Sequence, residues 1–258
     1  MASPDSSVGI PGGTMGGEQD SGVGGTDADA GMADPLQALT GDYYVRVDQY
    51  NTSKASGLTV QSRVISYFVA KLLLVDGALT MYDRQCYIEF NQEGATTSIP
   101  VSEQTNYYPA KRAVKVVFET GTWRTERGPF AVGWDYDFST QPPRPTPTSE
   151  SDPLVRDNNK DGAGVNVTVT SGLTCNLRVV QTIDLTFSGT LVGGKLASGT
   201  CANKSVQETL YKDFICPSES ELLSNGPDTM RFAKARDPVA DTLPCPTRSV
   251  IGESLPSL

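Results

Sequence analysis

The sequence predicts an all-β protein, either an antiparallel β-barrel or a β-sandwich, preceded by a disordered N-terminal tail. Two observations carry this prediction. Several runs within residues 39–258 alternate apolar and polar side chains, the pattern of antiparallel strands with one buried face. Two pairs of these runs are separated by Asp76-Gly77 and Gly193-Gly194, Gly-containing dipeptides of the kind that closes hairpins.

Residues 1–38 are predicted to form a flexible tether. The first 34 residues are rich in Gly, Ser and Asp and contain no aromatic residue, no Lys and no Arg. Such a segment buries almost no apolar surface. It therefore cannot offset the loss of about 1–2 kcal/mol of backbone entropy per ordered residue.

Residues 39–140 are predicted to form a first β half, entered through a short helical turn at residues 36–40. In its first strand Tyr43, Val45 and Val47 fall on one face, because side chains alternate along a strand. The predicted strands of this half are residues 42–50, 58–75, 79–90, 113–118 and 130–138.

Residues 141–160 interrupt the strand pattern and are predicted to be a linker. Prolines lack a backbone donor and exclude a central strand, and this segment contains Pro142, Pro143, Pro145, Pro147 and Pro153. After this linker the strand pattern resumes.

Residues 161–258 are predicted to form a second β half with a cysteine-rich C-terminal region. Its predicted strands are residues 165–170, 177–191 and 196–201, and a short helix is expected within residues 210–224. This order of strands and Gly turns resembles that of residues 39–140. An internal duplication, in which two half-sheets close one barrel or sandwich, and the ordinary repetition of β-meanders both explain the likeness.

The charge distribution argues against nucleic acid and anionic membrane surfaces as partners. The formal net charge is −9; residues 1–45 hold seven acids and no base, which leaves −2 for the rest of the chain. A nearly neutral body without a basic stripe does not neutralise phosphates. No run approaches the roughly 20 apolar residues that a transmembrane helix needs.

The cysteines predict an oxidising compartment. Four of the five, Cys175, Cys201, Cys216 and Cys245, lie in the last third of the chain and predict two disulfides, with Cys86 left over. Buried free thiols in a cytosolic protein are the alternative interpretation. None of the spacings is CxxC, which disfavours a zinc ribbon.

The N-terminus resembles bacterial surface lipoproteins. Ala2-Ser3-Pro4-Asp5-Ser6-Ser7 and the Gly/Asp tract that follows are similar to the segment just after the lipid-bearing cysteine of such proteins. The resemblance implies that a leader was removed. It also implies that the protein is exported, with a periplasmic, outer-membrane-anchored or extracellular location, and that it meets a membrane only through a lost lipid anchor.

The absence of histidine restricts the chemistry available to this chain. It removes Ser-His-Asp and Cys-His triads, His-based zinc sites and the usual general base near neutral pH. A paired-carboxylate glycosidase needs no histidine, and Asp135 and Asp137 would share a face of the predicted strand 130–138, about 7 Å apart. The alternative is two solvated carboxylates.

A calcium-like loop is the clearest motif. Asp157, Asn159, Asp161 and Gly162 match the pattern D-x-[DN]-x-[DN]-G, in which oxygen ligands wrap a hard cation. The sequence therefore predicts a structural Ca²⁺ site with Asp157, Asn159 and Asp161 as ligands. An ordinary Asn/Asp/Gly turn before a strand is the alternative.

Four aromatic residues are candidates for a ligand pocket. Tyr43, Trp123, Trp134 and Tyr136 are expected either to line a site for a sugar or an apolar ligand, or to pack as core. Gly41-Asp42-Tyr43 also resembles the G-x-W opening of lipocalins, with Tyr in place of Trp.

Together these observations predict an exported, tethered, non-enzymatic β-protein. It would serve as a binding or structural component of a cell surface or extracellular assembly, with other surface proteins or a small apolar or sugar ligand as partners. A lipocalin-like carrier of a small apolar ligand is one alternative. A carboxylate-dependent glycan-active enzyme is the second.

Overall fold

The computed structural model describes residues 34–55, 58–104, 107–157, 163–216, 221–224 and 228–255. In this part of the chain nearly all regular structure is antiparallel β, which confirms the predicted all-β class. The tail predicted for residues 1–38 lies outside the described residues up to position 33. Its end, the predicted helical turn, is a short 3-10 helix at Gln37–Leu39.

The strands and helices follow in this order. The first β-rich stretch contains β1 (Gly41–Ala55), β2 (Leu58–Val75), β3 (Ala78–Gln92), β4 (Thr96–Ser98), α1 (Val101–Gln104), β5 (Ala110–Val117), β6 (Thr122–Thr125) and β7 (Gly128–Val132). The second contains β8 (Val165–Ser171), β9 (Leu173–Val192), β10 (Lys195–Asn203), β11 (Val206–Lys212), β12 (Glu221–Ser224), β13 (Asp228–Lys234) and α2 (Arg248–Ser254).

Eight of these strands close into an up-and-down barrel. β1, β2, β3, β5, β6, β9, β10 and β13 each pair antiparallel with the next strand in that order. The ring closes where β13 pairs with β1. A closed ring satisfies the backbone hydrogen bonds of every strand and leaves no free edge.

The two predicted β halves therefore contribute to one barrel. Strands from residues 39–140 and from residues 161–258 meet at the β6–β9 and β13–β1 pairings. β9 is long enough to continue beyond the barrel, where β7, β8 and β11 pair with it and β4 pairs with β8. The predicted linker contains no strand in its described part, 141–157, as its prolines indicated.

Two predicted elements are corrected. The strand expected at residues 130–138 ends at Val132, because the backbone leaves the extended conformation at Gly133, where φ is +78°. The position requires glycine, since a Cβ there would lie 2.9 Å from the Val179 carbonyl oxygen. The helix expected within residues 210–224 is absent from its described part. There β11 runs to Lys212, a turn follows at residues 213–216, and β12 spans Glu221–Ser224.

The main core fills the barrel. Inward-facing side chains from all eight strands form one buried cluster, and Leu39 of the 3-10 helix covers one end of it. A second cluster lies outside the barrel, where residues 243–255 pack on the outer face of β1, β2 and β3. A third is built by residues 131–155 against β9 and β11.

Two disulfides are present, as predicted in number, but one predicted partner is wrong. The bonds join Cys86 to Cys245 and Cys175 to Cys216, and Cys201 is free and buried. The pairing depends on whether each cysteine side chain faces the inside or the outside of the barrel. Cys201 belongs to the barrel core, whereas Cys86 lies in the outer cluster that holds the C-terminal segment.

Candidate functional site

Two of the predicted ligand-binding aromatics, Tyr43 and Trp123, belong to the barrel core. Each is at most 3 % exposed, and both meet Phe232 edge to face, with ring centroids 6.0 and 5.4 Å away. The Tyr43 hydroxyl donates to the Leu39 carbonyl at 2.9 Å. These contacts explain their burial by packing.

The other two predicted aromatics, Trp134 and Tyr136, lie in the third cluster. Their rings stack with centroids 5.2 Å apart, and Trp134 Nε1 donates to the Gln181 carbonyl at 2.8 Å. This cluster is separate from the barrel core. The structure thus does not bring the four aromatics into one site.

The carboxylates of Asp135 and Asp137 have different environments. Asp135 is exposed and pairs with Arg156 at 2.9 Å. Asp137 is buried and accepts hydrogen bonds from the Ser139 amide and the hydroxyls of Ser139 and Thr140. Since the predicted strand ends before them, its same-face geometry does not apply.

Of the predicted calcium ligands, Asp157 is described and its side chain is exposed. Asn159 and Asp161 lie outside the described residues. Within the described ranges, no three His, Cys, Asp or Glu side chains gather in a metal-binding group. The predicted Ca²⁺ site stays a prediction.

The barrel interior is filled by large side chains. Phe68 meets Phe130 and Phe187 edge to face at 6.3 Å, and Phe187 meets Phe232 at 6.5 Å. The Arg112 guanidinium lies over the Phe187 ring at 4.9 Å. The centre of the barrel is therefore occupied by protein side chains, as in a close-packed core.

A concave site of about 920 Å³ lies instead on the exposed face of β5, β6, β9, β10 and β13. We call it the cationic groove. Its charged lining residues are Lys115, Arg124 and Arg231, and none of its lining residues is acidic. The remaining lining side chains are three apolar or aromatic ones, Val117, Trp123 and Met230, and six hydroxyls, Thr122, Ser188, Thr190, Ser198, Thr200 and Thr229.

Two glycines at the floor of the cationic groove explain how close the strands come there. Gly189 of β9 faces Gly199 of β10, and a Cβ on Gly199 would collide with the Ser188 carbonyl oxygen. Only residues without a side chain permit this approach, and the register of β10 shifts just before it, between Leu196 and Ser198. The local sheet geometry thus depends on both glycines.

The cationic groove also contains buried polar atoms without a hydrogen-bond partner. These are Trp123 Nε1 and Thr229 Oγ1. An unsatisfied buried polar atom costs about 1–3 kcal/mol and calls for an explanation.

Two cations of the cationic groove differ in their environment. Lys115 pairs with Glu126 at 2.7 Å, whereas Arg124 is exposed and forms no ion pair within the described residues.

A second concave site of about 980 Å³ lies where β1, β2 and β3 extend past the barrel. We call it the amide groove. Four amide side chains line it, Asn51, Gln61, Asn91 and Gln92. Its rings are Tyr50 and Phe90, and its charged residues are Arg63 and Glu93.

Of the candidate site residues predicted from the sequence, only Trp123 lines either groove, and neither concavity was predicted. The cationic groove draws its residues from five strands: Lys115 and Arg124 lie opposite each other on β5 and β6, but Arg231 comes from the distant β13. Alternating Thr, Ser and Lys on a strand predicts an exposed face, but not that five such faces form a concavity. For the amide groove, the local signal is an aromatic residue followed directly by an amide, Tyr50-Asn51.

The fold and its grooves define a disulfide-bonded, all-β protein with an eight-stranded barrel. No family model matches this chain, and neither a curated protein nor a solved structure has significant similarity to it. Among the described residues, no helix has the length and apolar character needed to cross a membrane. A fold alone does not define a function, which resides in the chemistry of particular sites.

Proposed function

We propose that this chain is an exported, tethered, non-enzymatic protein that binds an acidic partner through the cationic groove. It would act as a binding component of a cell surface or extracellular assembly. Periplasmic, outer-membrane-anchored and extracellular locations are all consistent with this role, and residues 1–38 would serve as the tether.

Three features support export and a role in binding. The two disulfides are compatible with an exported protein, since such bonds persist in oxidising compartments. The chain has no histidine for general base catalysis. The carboxylates of Asp135 and Asp137 are engaged by Arg156 and by local hydroxyl and amide donors, respectively.

The observation that carries the proposal is the composition of the cationic groove. Three cations and six hydroxyls line it and no carboxylate does, in a chain whose net charge is −9. Lys115 pairs with Glu126 beside the groove, so the exposed Arg124 is the cation on which the proposal chiefly depends. Hydroxyl and guanidinium donors together match carboxylate or sulfate groups. A groove of about 920 Å³ falls in the size range of ligand sites.

A lipocalin-like carrier is the second candidate. The barrel has eight strands joined to their neighbours in chain order, and lipocalins are barrels of this strand number. A carried apolar ligand would have to displace the packed rings of Phe68, Phe187 and Phe232. This packing favours a binding site on the outer face.

The proposal is tested with soluble acidic polymers as probes. Polygalacturonate and dextran sulfate should retard the native protein in affinity electrophoresis at low salt, and the retardation should weaken as ionic strength rises. Arg124→Glu should weaken this binding on the order of tenfold, because a free cation becomes an anion.

Arg236→Glu is the matched control, since Arg236 is also exposed but does not line the groove. This variant makes the same change in net charge and should bind nearly as the native protein does. Failure of both polymers to bind at low salt would overturn the proposal, as would equal losses in the two variants.

A further inference from the structure

The amide groove lies where β1, β2 and β3 continue past the end of β13, and its chemistry differs from that of the cationic groove. β1 pairs with β13 only as far as Asp48, and beyond this point β1, β2 and β3 continue together. The chain after β3 folds back at the Gln92–Ala95 bridge, and Thr97 Oγ1 donates to Gln92 Oε1 at 2.8 Å. The fold thus holds one wall of the groove in place.

The cation of the amide groove is already engaged. Arg63 pairs with the buried Asp48 at 2.7 Å and lies over the Tyr50 ring at 5.5 Å. Asp48 also accepts two hydrogen bonds from Arg46, one from Nε and one from Nη2, each at 2.9 Å. Arg63 is thus held in place by a carboxylate that it shares with Arg46, and the lining also includes the carboxylate of Glu93, so the groove is not a cationic site like the first one.

The remaining lining is suited to a ligand with many uncharged hydroxyls. Each amide side chain presents both a donor and an acceptor, and a sugar hydroxyl is also both. Asn51, Gln61, Asn91 and Gln92 supply such pairs in one concavity, and Ser62 and Thr96 add hydroxyls. Tyr50 is 37 % exposed, so part of its ring is available to the apolar face of a sugar.

We propose that the amide groove binds a neutral oligosaccharide, with Tyr50 as the stacking residue and the amides of Asn51, Asn91 and Gln92 as hydrogen-bonding residues. The groove volume of about 980 Å³ accommodates a short chain of sugars. The site shares no lining residue with the cationic groove and does not depend on the function proposed above.

The test uses neutral polysaccharides as probes on the full chain. Amylose, galactomannan and a mixed-linkage β-glucan are each cast into native gels, and retardation is compared with that in plain gels. At least one of them should retard the native protein. Tyr50→Ala should weaken that binding roughly tenfold, because the ring that contacts the apolar face of the sugar is lost.

Tyr211→Ala is a closely matched control. Tyr211 is 43 % exposed and lies under the Arg178 guanidinium at 4.3 Å, but it is outside the groove. The Tyr211→Ala variant should bind the neutral polysaccharide as the native protein does. Asn91→Ala, at an exposed position, provides a second groove variant if Tyr50→Ala lowers the melting temperature.

Each result decides the proposal. Retardation by a neutral polysaccharide that is lost in Tyr50→Ala or Asn91→Ala and kept in Tyr211→Ala supports it. No retardation by any of the three, or equal retardation of all variants, overturns it. Arg124→Glu should leave neutral binding intact, so failure here is distinct from failure at the cationic groove.

Discussion

The two ends of the barrel interior are filled in opposite ways. At the end covered by the 3-10 helix, the buried residues are apolar or aromatic: Leu39, Tyr43, Leu72, Leu79, Leu196 and Phe232. Toward the other end, charged and polar groups are buried: Asp83, Arg112, Cys201 and Asp228. We refer to these sets as the apolar end and the polar end.

The two opposite charges of the polar end, Asp83 and Arg112, satisfy each other, while Asp228 accepts hydrogen bonds from Gln49 and the Tyr50 amide. Arg112 Nε donates to Asp83 Oδ1 at 2.6 Å and Nη2 to Oδ2 at 3.1 Å, while Nη1 donates to the Leu185 carbonyl. Burial of charge is costly unless each charge is paired and hydrogen-bonded. At the apolar end, we expect the free energy of unfolding to fall in proportion to the buried apolar area that a substitution removes. At the polar end, removal of one partner leaves the other charge buried and unpaired, which costs more.

The largest effect is expected at the buried ion pair. Asp83→Ala leaves the Arg112 guanidinium uncompensated and should lower the free energy of unfolding by about 3–5 kcal/mol, measured by urea denaturation. Asp135→Ala is the control, because it removes one half of the partly exposed pair with Arg156 and should cost less than about 1 kcal/mol. The double variant Asp83→Leu, Arg112→Met should recover most of the loss. Equal losses in the two single variants would contradict the comparison.

A smaller effect is expected at the apolar end. Leu39 is fully buried, so Leu39→Ala should lower the free energy of unfolding by about 2–4 kcal/mol through lost burial and a residual cavity. Leu173→Ala, at a leucine that is 69 % exposed, should change it by less than about 0.5 kcal/mol. If the two leucine variants unfold at the same urea concentration, the 3-10 helix does not seal the barrel.

The smallest effect is a dependence of stability on pH at the polar end. Burial raises the pKa of Asp228 above its ordinary value, against the lowering effect of hydrogen bonds from Gln49 and the Tyr50 amide. The folded state therefore holds this proton to higher pH than the unfolded state does. Stability should fall as pH rises from the ordinary carboxyl pKa through the raised one.

Asp228→Asn removes this titration and should make the fall in stability shallower over that range. Urea denaturation of the native protein and the variant at a series of pH values between 4 and 8 measures the two slopes. The slope should not vanish, because burial also raises the pKa of Asp83. A slope in Asp228→Asn as steep as in the native protein would show that Asp228 does not contribute.

Sequence reasoning succeeded where a local pattern determines the structure. The alternation of Tyr43, Val45 and Val47 places these residues inside the barrel, as the period of two predicts. Asp76-Gly77 closes the β2–β3 hairpin, with both residues at positive φ. The number of disulfides followed from the number of cysteines, but not their partners, which depend on the face that each side chain takes.

Sequence reasoning reached the candidate sites only at Trp123, which lines the cationic groove. The aromatic residues that it selected are buried in two separate clusters, because large rings are also what a core requires. The cationic groove depends on Gly189 facing Gly199 across two strands, a register that no single strand encodes. Likewise, Arg63 is held by Asp48 of the neighbouring strand, a contact that no local pattern encodes.

By itself the sequence determined the class of this protein, its strand periodicity and the chemistry it lacks, because these depend on composition and on neighbours within a few residues. The tertiary structure decided that eight strands close into one ring, which cysteines pair and which polar faces become concave. These outcomes depend on register between distant strands. A shift of one residue would move every side chain of a strand to the opposite face.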